Sequence, residues 1–156
     1  TVWAFAELGE GDLAAELYRL INPVYRADTL DDVRRYRVEP YVISADVYGV
    51  PPHVGRGGWT WYTGSASWLY RLGAEGILGL RRSGDRLTVD PCIPTSWDGF
   101  TVTYRFGSAT YDIRVQNPRG VSRGVSEVTL DGVPLADNLV PLHDDGKQHA
   151  VHVFLG

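Results

Sequence analysis

The sequence has no methionine and only one cysteine, Cys92. One thiol cannot close an internal disulfide or build a cysteine-based zinc site. No apolar run approaches the roughly 20 residues that a membrane-crossing helix needs. No basic-then-apolar leader opens the chain. Positive charge is not in excess: the formal net charge is −4, with acids and bases mixed throughout. Phosphate-backbone binding wants a basic face, so nucleic acid is not an expected partner. A P-loop, a dinucleotide fingerprint and a Ser–His–Asp order are also missing. The histidines suggest no metal site. His149 and His152 are three apart on an expected strand and face opposite sides. His143 sits in a polar loop, and His53, in "PPHVGRGG", reads as a solvated loop residue. Cys92, in the rigid connector "DPCIP", reads as a packing residue rather than a nucleophile.

What is present can build a core. Of 156 residues, 44% are hydrophobic and 22% charged, which excludes a disordered chain and suits one domain or two small ones. The opening "TVWAFAELGEG" is helical in character from its first residues and has no cap. Together with the missing methionine, this reads as a piece of a longer protein.

The first half carries helical signals. A helix is expected over Val2–Leu8. A turn at "GEGD" follows, with Asp12 as N-cap. A second helix over Leu13–Ile21 has Leu13, Leu17, Leu20 and Ile21 on one face and stops at Pro23. Thr29-Leu30-Asp31-Asp32 resembles a capping box opening a third helix through Tyr36. Glu39-Pro40 is expected to open a fourth through Val47, with Pro40 at the first helical position. Residues 49–60 form a loop rich in glycine and proline. A last helix begins near Thr63 and places Ser65, Trp68, Leu69, Leu72 and Gly76 on one face. Gly73, Gly76 and Gly79 suggest close packing against another helix.

After residues 80–86 the pattern changes to period two. Leu87–Val89 is a short strand. "FTVTYRF" and "ATYDIRV" flank Gly107-Ser108 as a hairpin. "VSEVTLDGVPL" turns at Asp131-Gly132, and "HAVHVFL" is a closing strand. The expected fold is α+β: a helical part over 1–82 and a small antiparallel, β-sandwich-like domain over 83–156.

The candidate site is "GRGGWTWYTGSASWLYR", residues 55–71. The first N–H groups of a helix have no internal partner, and the helix dipole puts partial positive charge there. An anion binds readily at such a point. Thr63 can add a hydroxyl, and Gly64 lets the backbone approach a ligand closely. An ordinary threonine cap explains the same residues. Trp59, Trp61, Tyr62 and Trp68 could stack on sugar rings, but tryptophans also fill cores. Arg56 could grip phosphate as a planar fork, or lie solvated on the surface.

The segment "INPVYRADTLDDVRRYRVEPYVISADVYGVPPHVGRGGWTWYTGSASWLYRLGAEGILGL" resembles the cellobiose and chitobiose phosphorylase family. "ADVYGVPPHVGRGGWTWYTGSA" is most similar to the phosphorylase-like domain of bacterial cyclic β-1,2-glucan synthetases. "LTVDPCIPTSWDGFTVTYRFGSATYDIRVQNP" and "GVSEVTLDG" resemble the family's C-terminal β-domain. The resemblance implies that residues 1–82 are the last helices of an (α/α)6 barrel. It also implies inverting phosphorolysis of a β-glycosidic bond, with inorganic phosphate as co-substrate and no other cofactor or metal. The family's phosphate-binding Thr-Gly pair maps onto Thr63 and Gly64, with Arg56, Trp59, Trp61 and Tyr62 as possible site walls. The family's general acid and phosphate-binding histidine precede this segment. None of Glu39, Asp46, Glu75 or Asp90 fits the acid's motif.

General acid catalysis contributes about 10²–10⁴-fold, so the chain by itself is expected to be inactive and to hold no catalytic residue. The implied partners are a β-linked glucan or oligosaccharide, phosphate, and the remainder of a parent chain. That parent is expected to be bacterial and associated with the inner membrane, with this part soluble on the cytoplasmic side. Faces meant for neighbouring barrel helices, among them Trp3, Phe5, Leu8, Leu13, Leu17 and the Trp68–Leu72 stripe, are expected to drive self-association. The rival expectation is a non-catalytic carbohydrate-binding or scaffold module.

Overall fold

The computed structural model describes residues 1–39, 41–60 and 63–156. The chain divides into two compact units. The first comprises Thr1–Ala15 with Ala74–Gly156, and the second Glu16–Gly73.

The first unit is mainly strands, in two sheets that are mostly antiparallel. Strands β1 (Leu80–Ser83), β2 (Arg86–Val89) and β7 (Leu139–Pro141) form a three-stranded sheet in the order β1-β2-β7. A five-stranded sheet has the order β3-β4-β8-β5-β6. Its members are β3 (Gly99–Phe106), β4 (Ala109–Gln116), β5 (Val125–Leu130), β6 (Val133–Pro134) and β8 (Gln148–Leu155). Alternation decides the buried face. Ala109, Tyr111, Ile113 and Val115 of β4 are buried, as are His149, Val151, Val153 and Leu155 of β8. With Leu87, Val89, Ile93, Val128 and Val140 these residues form the core of the unit.

The hairpin at Gly107-Ser108 forms as expected, with Phe106 opposite Ala109. Asp131 and Gly132 both take positive φ, 51° and 81°, as a tight turn between β5 and β6 requires. One pairing departs from the expected antiparallel domain: β4 and β8 run parallel, Tyr111 opposite His149 and Val115 opposite Val153. Strand β1 was not expected either. "LRRS" has no clear alternation and becomes a strand by pairing with β2, Leu80 opposite Val89.

Helix α1 (Val2–Glu7) and the start of α2 (Gly11–Ile21) pack with these strands. Arg81 donates to Glu7 Oε1 at 2.6 Å, with its guanidinium 5.7 Å from the Trp3 ring centre. Arg123 pairs with Asp90 at 2.6 Å and donates to the Glu7 carbonyl at 3.0 Å. Asp12 is not a cap. It lies inside the first turn of α2, and its carboxylate accepts from the Thr95 N–H at 3.0 Å. A long-range partner has taken the carboxylate that local chemistry would have spent on the helix end. The leucine stripe of α2 is not buried as a stripe either. Gly11 and Ala14 are its buried residues, while Leu13, Leu20 and Ile21 are exposed.

The second unit holds the rest of α2, a 3-10 turn (Pro23–Arg26), α3 (Leu30–Tyr36) and α4 (Thr63–Arg71). Thr29 caps α3 as expected: its hydroxyl accepts from the Asp32 N–H at 3.1 Å and donates to the Asp32 carboxylate at 2.6 Å. The expected helix from Glu39 to Val47 is not formed over residues 41–47; Pro40 lies outside the described residues. Instead residues 45–48 run against 55–59. Ala45 N–H donates to Trp59 O at 2.7 Å, Gly58 N–H to Asp46 O at 2.9 Å, and Tyr48 N–H to Arg56 O at 2.9 Å. The glycines permit this approach: a Cβ on Gly57 would meet Val38 and Tyr36, and one on Gly58 would strike the Asp46 carboxylate. These cross-chain hydrogen bonds replace those a helix would have made. After α4 the chain continues as a π-helical turn, Leu72–Ile77. Gly73 meets helix α2 as expected, where a Cβ would stand 2.8 Å from the Tyr18 hydroxyl. Gly79 instead packs on the Asp90–Pro91 backbone.

Candidate functional site

The sequence places the site at the loop-to-helix junction within residues 55–71, and the structure puts its first residues on the second arm of the 45–59 loop pair, ahead of α4. Arg56 and Trp59 lie on the second arm of that pair. Arg56 is exposed and its side chain forms no ion pair among the described residues. Trp59 is 65% exposed, so its ring is not spent on the core. Trp61 and Tyr62 lie outside the described residues.

Thr63 opens α4, a helix of nine residues, at the position expected. Gly64 is exposed, and a Cβ built on it would meet nothing within 4 Å. Packing against the described residues therefore does not demand the glycine. It leaves the helix start open to an outside group, and the helix dipole favours an anionic one. Further along α4, Trp68 is 64% exposed, with the Arg71 guanidinium 5.2 Å from its ring centre. That contact suits a cation–π pair.

A cleft of about 840 Å³ lies in the same unit. It is lined by residues including Arg26, Arg35, Tyr36, Ser44, Asp46 and Val54. Tyr36 and Ser44 hydroxyls are 3.1 Å apart at its wall. None of Arg56, Trp59, Thr63 and Gly64 lines it. The structure therefore brings Arg56 and Trp59 onto one arm but does not gather the predicted residues around this cleft. Arg35, Tyr36 and Ser44 were not singled out from sequence. They come together because residues 41–47 do not form the expected helix and 45–48 pair with 55–59 instead, and no local motif signals that.

Burial pushes the Tyr18 phenol up, with Tyr25 adding to the effect. Burial likewise raises the Cys92 thiol, which is 1% exposed and fits the packing role expected of it. Among the described residues, no group of three or more His, Cys, Asp or Glu side chains could hold a metal ion. No helix among them is long and apolar enough to cross a membrane.

The comparisons with known proteins point one way. Residues 1–79 match the family described as Glycosyl hydrolase 94 superfamily, catalytic domain. The chain is 49% identical over 114 residues to the cyclic β-(1,2)-glucan synthase NdvB of Rhizobium meliloti, covering 73% of this chain and 4% of that protein. It is 40% identical over 159 residues to the N,N'-diacetylchitobiose phosphorylase of Vibrio furnissii, covering 99% of this chain and 19% of that enzyme. It is 29% identical to the solabiose phosphorylase of Paenibacillus borealis, over 93% of this chain and 19% of that enzyme. The chain thus spans about a fifth or less of these relatives. With half its length matched to the catalytic-domain family and both kinds of relative aligned, the chain belongs to the Glycosyl hydrolase 94 superfamily.

Proposed function

We propose that this chain forms the phosphate-side wall of a glycoside phosphorylase-like site, together with the β-domain that follows it. On this reading residues 1–82 are the last helices of an (α/α)6 barrel and 83–156 the C-terminal β-domain. The parent is an inverting glycoside phosphorylase or, in line with the 49% identity, a bacterial cyclic β-1,2-glucan synthase. Its substrates are a β-linked glucan or oligosaccharide and inorganic phosphate. The observation that carries the site is the open start of α4: Thr63 is its first residue, and a Cβ on Gly64 would meet none of the described residues within 4 Å beyond its chain neighbours and its own helix's backbone.

In inverting phosphorolysis an acid protonates the leaving oxygen while phosphate attacks the anomeric carbon from the opposite face. Phosphate thereby replaces the activated water of inverting hydrolysis. Phosphate is already a nucleophile and needs no general base. What it needs is a cradle of donors at fixed positions. The N–H groups at Thr63 and Gly64 supply donors, the Thr63 hydroxyl adds one, and Arg56 contributes charge. Trp59, Trp61 and Tyr62 wall the site against sugar rings. The acid itself comes from outside this segment.

The test is made in a parent enzyme carrying this segment. A hydrogen bond to a charged group contributes about 1.5–3 kcal/mol, so Thr63→Ala is expected to raise the KM for phosphate by about tenfold or more. The KM for the sugar should change little. An unchanged phosphate KM would overturn the assignment. The chain alone is expected to release no glucose 1-phosphate from a sophorose-type or cellobiose-type substrate above a Thr63→Ala control. The exposed rings of Trp59, Trp68 and Tyr70 favour one second reading, a non-catalytic module that offers a sugar platform. It predicts glucan binding without phosphate dependence.

A further inference from the structure

In the first unit, His149 lies at a junction that the phosphorylase reading does not use. It is on β8 and 8% exposed. Its Nδ1 is 2.8 Å from Asp131 Oδ2, and its Nε2 is 3.2 Å from Asp145 Oδ1. An ionised carboxylate can only accept, and a neutral imidazole has a single N–H to give. Both contacts are hydrogen bonds only when the ring carries both protons.

The two carboxylates belong to different connections. Asp131 begins the β5–β6 turn, and its other oxygen accepts from the Ala150 N–H at 2.8 Å. Asp145 lies in the β7–β8 connection and accepts from the Lys147 N–H at 3.1 Å. Its neighbour Asp144 accepts from Ser108, from the N–H at 2.7 Å and the hydroxyl at 2.5 Å, so it holds the β3–β4 turn. Three connections are thus tied at one end of the strands through one stretch, 144–149. We propose that the His149 imidazolium, shared between Asp131 and Asp145, is a pH-released tie that holds these three connections together.

The groups facing His149 support this. Tyr111 of β4 stacks on the ring with centroids 4.7 Å apart, and its hydroxyl accepts from the His143 N–H at 2.7 Å. Asp131 faces the ring from the β5–β6 turn and Asp145 from the β7–β8 connection, with Asp144 beside it. Lys147, whose Nζ is 3.6 Å from Asp145, is the cation nearby. Two carboxylates against one lysine favour the charged ring. The hydrogen bond from His149 to the Asp131 carboxylate raises the His149 pKa, with burial opposing and Asp145 adding. Asp131 is held low by His149 first, and Asp145 by the Lys147 N–H first.

A histidine raised above its ordinary value of about 6.5 contributes stability that is complete below that pH and is lost as pH rises through the raised value. Aspartates held below about 3.9 contribute above it and fail as pH falls through their lowered values. The tie is complete between those limits. When the ring loses a proton it keeps one N–H. The Asp131 contact is the shorter, so Nδ1 retains it, and the Nε2 lone pair then faces the Asp145 carboxylate. The β7–β8 connection is released and the β5–β6 turn stays attached.

The test uses the whole chain, nitrogen-15 labelled. The His149 ring is expected to titrate with a midpoint above about 6.5, with both ring nitrogens protonated at pH 6. Through that midpoint, amide-exchange protection, corrected for intrinsic rate, should fall at Lys147 and Ser108 and hold at Ala150. Asp145→Asn should lower the midpoint and remove the change in protection. A midpoint at or below about 6.5, a neutral tautomer at pH 6, or Lys147 protection that is constant across the titration would each overturn the proposal.

Discussion

Gly79 and Gly84 carry the same kind of backbone in different surroundings, and replacing each by alanine separates two costs. Gly79 has φ +70° and Gly84 φ +61°. Alanine in the left-handed region costs about 1–2 kcal/mol at either position. Both replacements recover about 0.4–1 kcal/mol by restricting the unfolded chain. The neighbours differ. A Cβ on Gly84 meets nothing within 4 Å, whereas one on Gly79 collides with the carbonyl of Asp90 and the nitrogen of Pro91. These are backbone atoms in a segment pinned on both sides, by Asp90 N–H to Gly79 O at 3.0 Å and Cys92 N–H to Ile77 O at 2.8 Å. They cannot swing away as a side-chain tip would. Overpacking of this kind adds about 1–3 kcal/mol. Gly84→Ala is therefore expected to cost about 0–1.6 kcal/mol, and Gly79→Ala about 1–3 kcal/mol more. Both positions lie in the same compact unit, so one urea titration followed by the circular-dichroism signal of the sheets reads both. At about 2–4 °C per kcal/mol for a chain of this size, Gly79→Ala should melt about 2–12 °C below Gly84→Ala. Equal midpoints with equal urea slopes would refute the close packing at Gly79.

Cys92 should react with a thiol reagent at pH 8 only as fast as the first unit opens, because burial both covers the thiol and raises its pKa. Labelling at the rate of a free thiol, unaffected by mild urea, would contradict this. The chain alone should self-associate, since Leu8, Leu20, Ile21 and Trp68 are exposed and Leu8 is 75% so. Sedimentation should show a weight-average mass that rises with concentration and falls back in Leu20→Glu. A monomer at every concentration would count against it.

Local chemistry was legible wherever a feature satisfies itself within a few residues. Thr29 announces the start of α3 because its hydroxyl reaches only to Asp32. Asp131-Gly132 announces a turn because both positions need positive φ, and the Gly107-Ser108 hairpin follows from the alternation on either side. The family resemblance was also in the sequence, because "GRGGWTWYTGSA" keeps its pattern as a string whatever surrounds it. The failures share one cause: a distant partner took a group that local reasoning had assigned nearby. Asp12 reads as a cap until Thr95 claims its carboxylate, 83 residues on. Glu39-Pro40 reads as a helix start, but residues 45–48 find donors and acceptors across the chain at 55–59. Strand β1 has no alternation of its own and exists through β2. Nor does anything near His149 in sequence show that Asp131 will stand at its Nδ1, because that meeting requires β5 to lie beside β8. Propensity and turn chemistry act over one or two turns of chain, and a single sequence carries them openly. Strand order, burial of one helix face rather than another, and the charge on a histidine depend on which surfaces exclude water together, and that is decided only when the chain has folded.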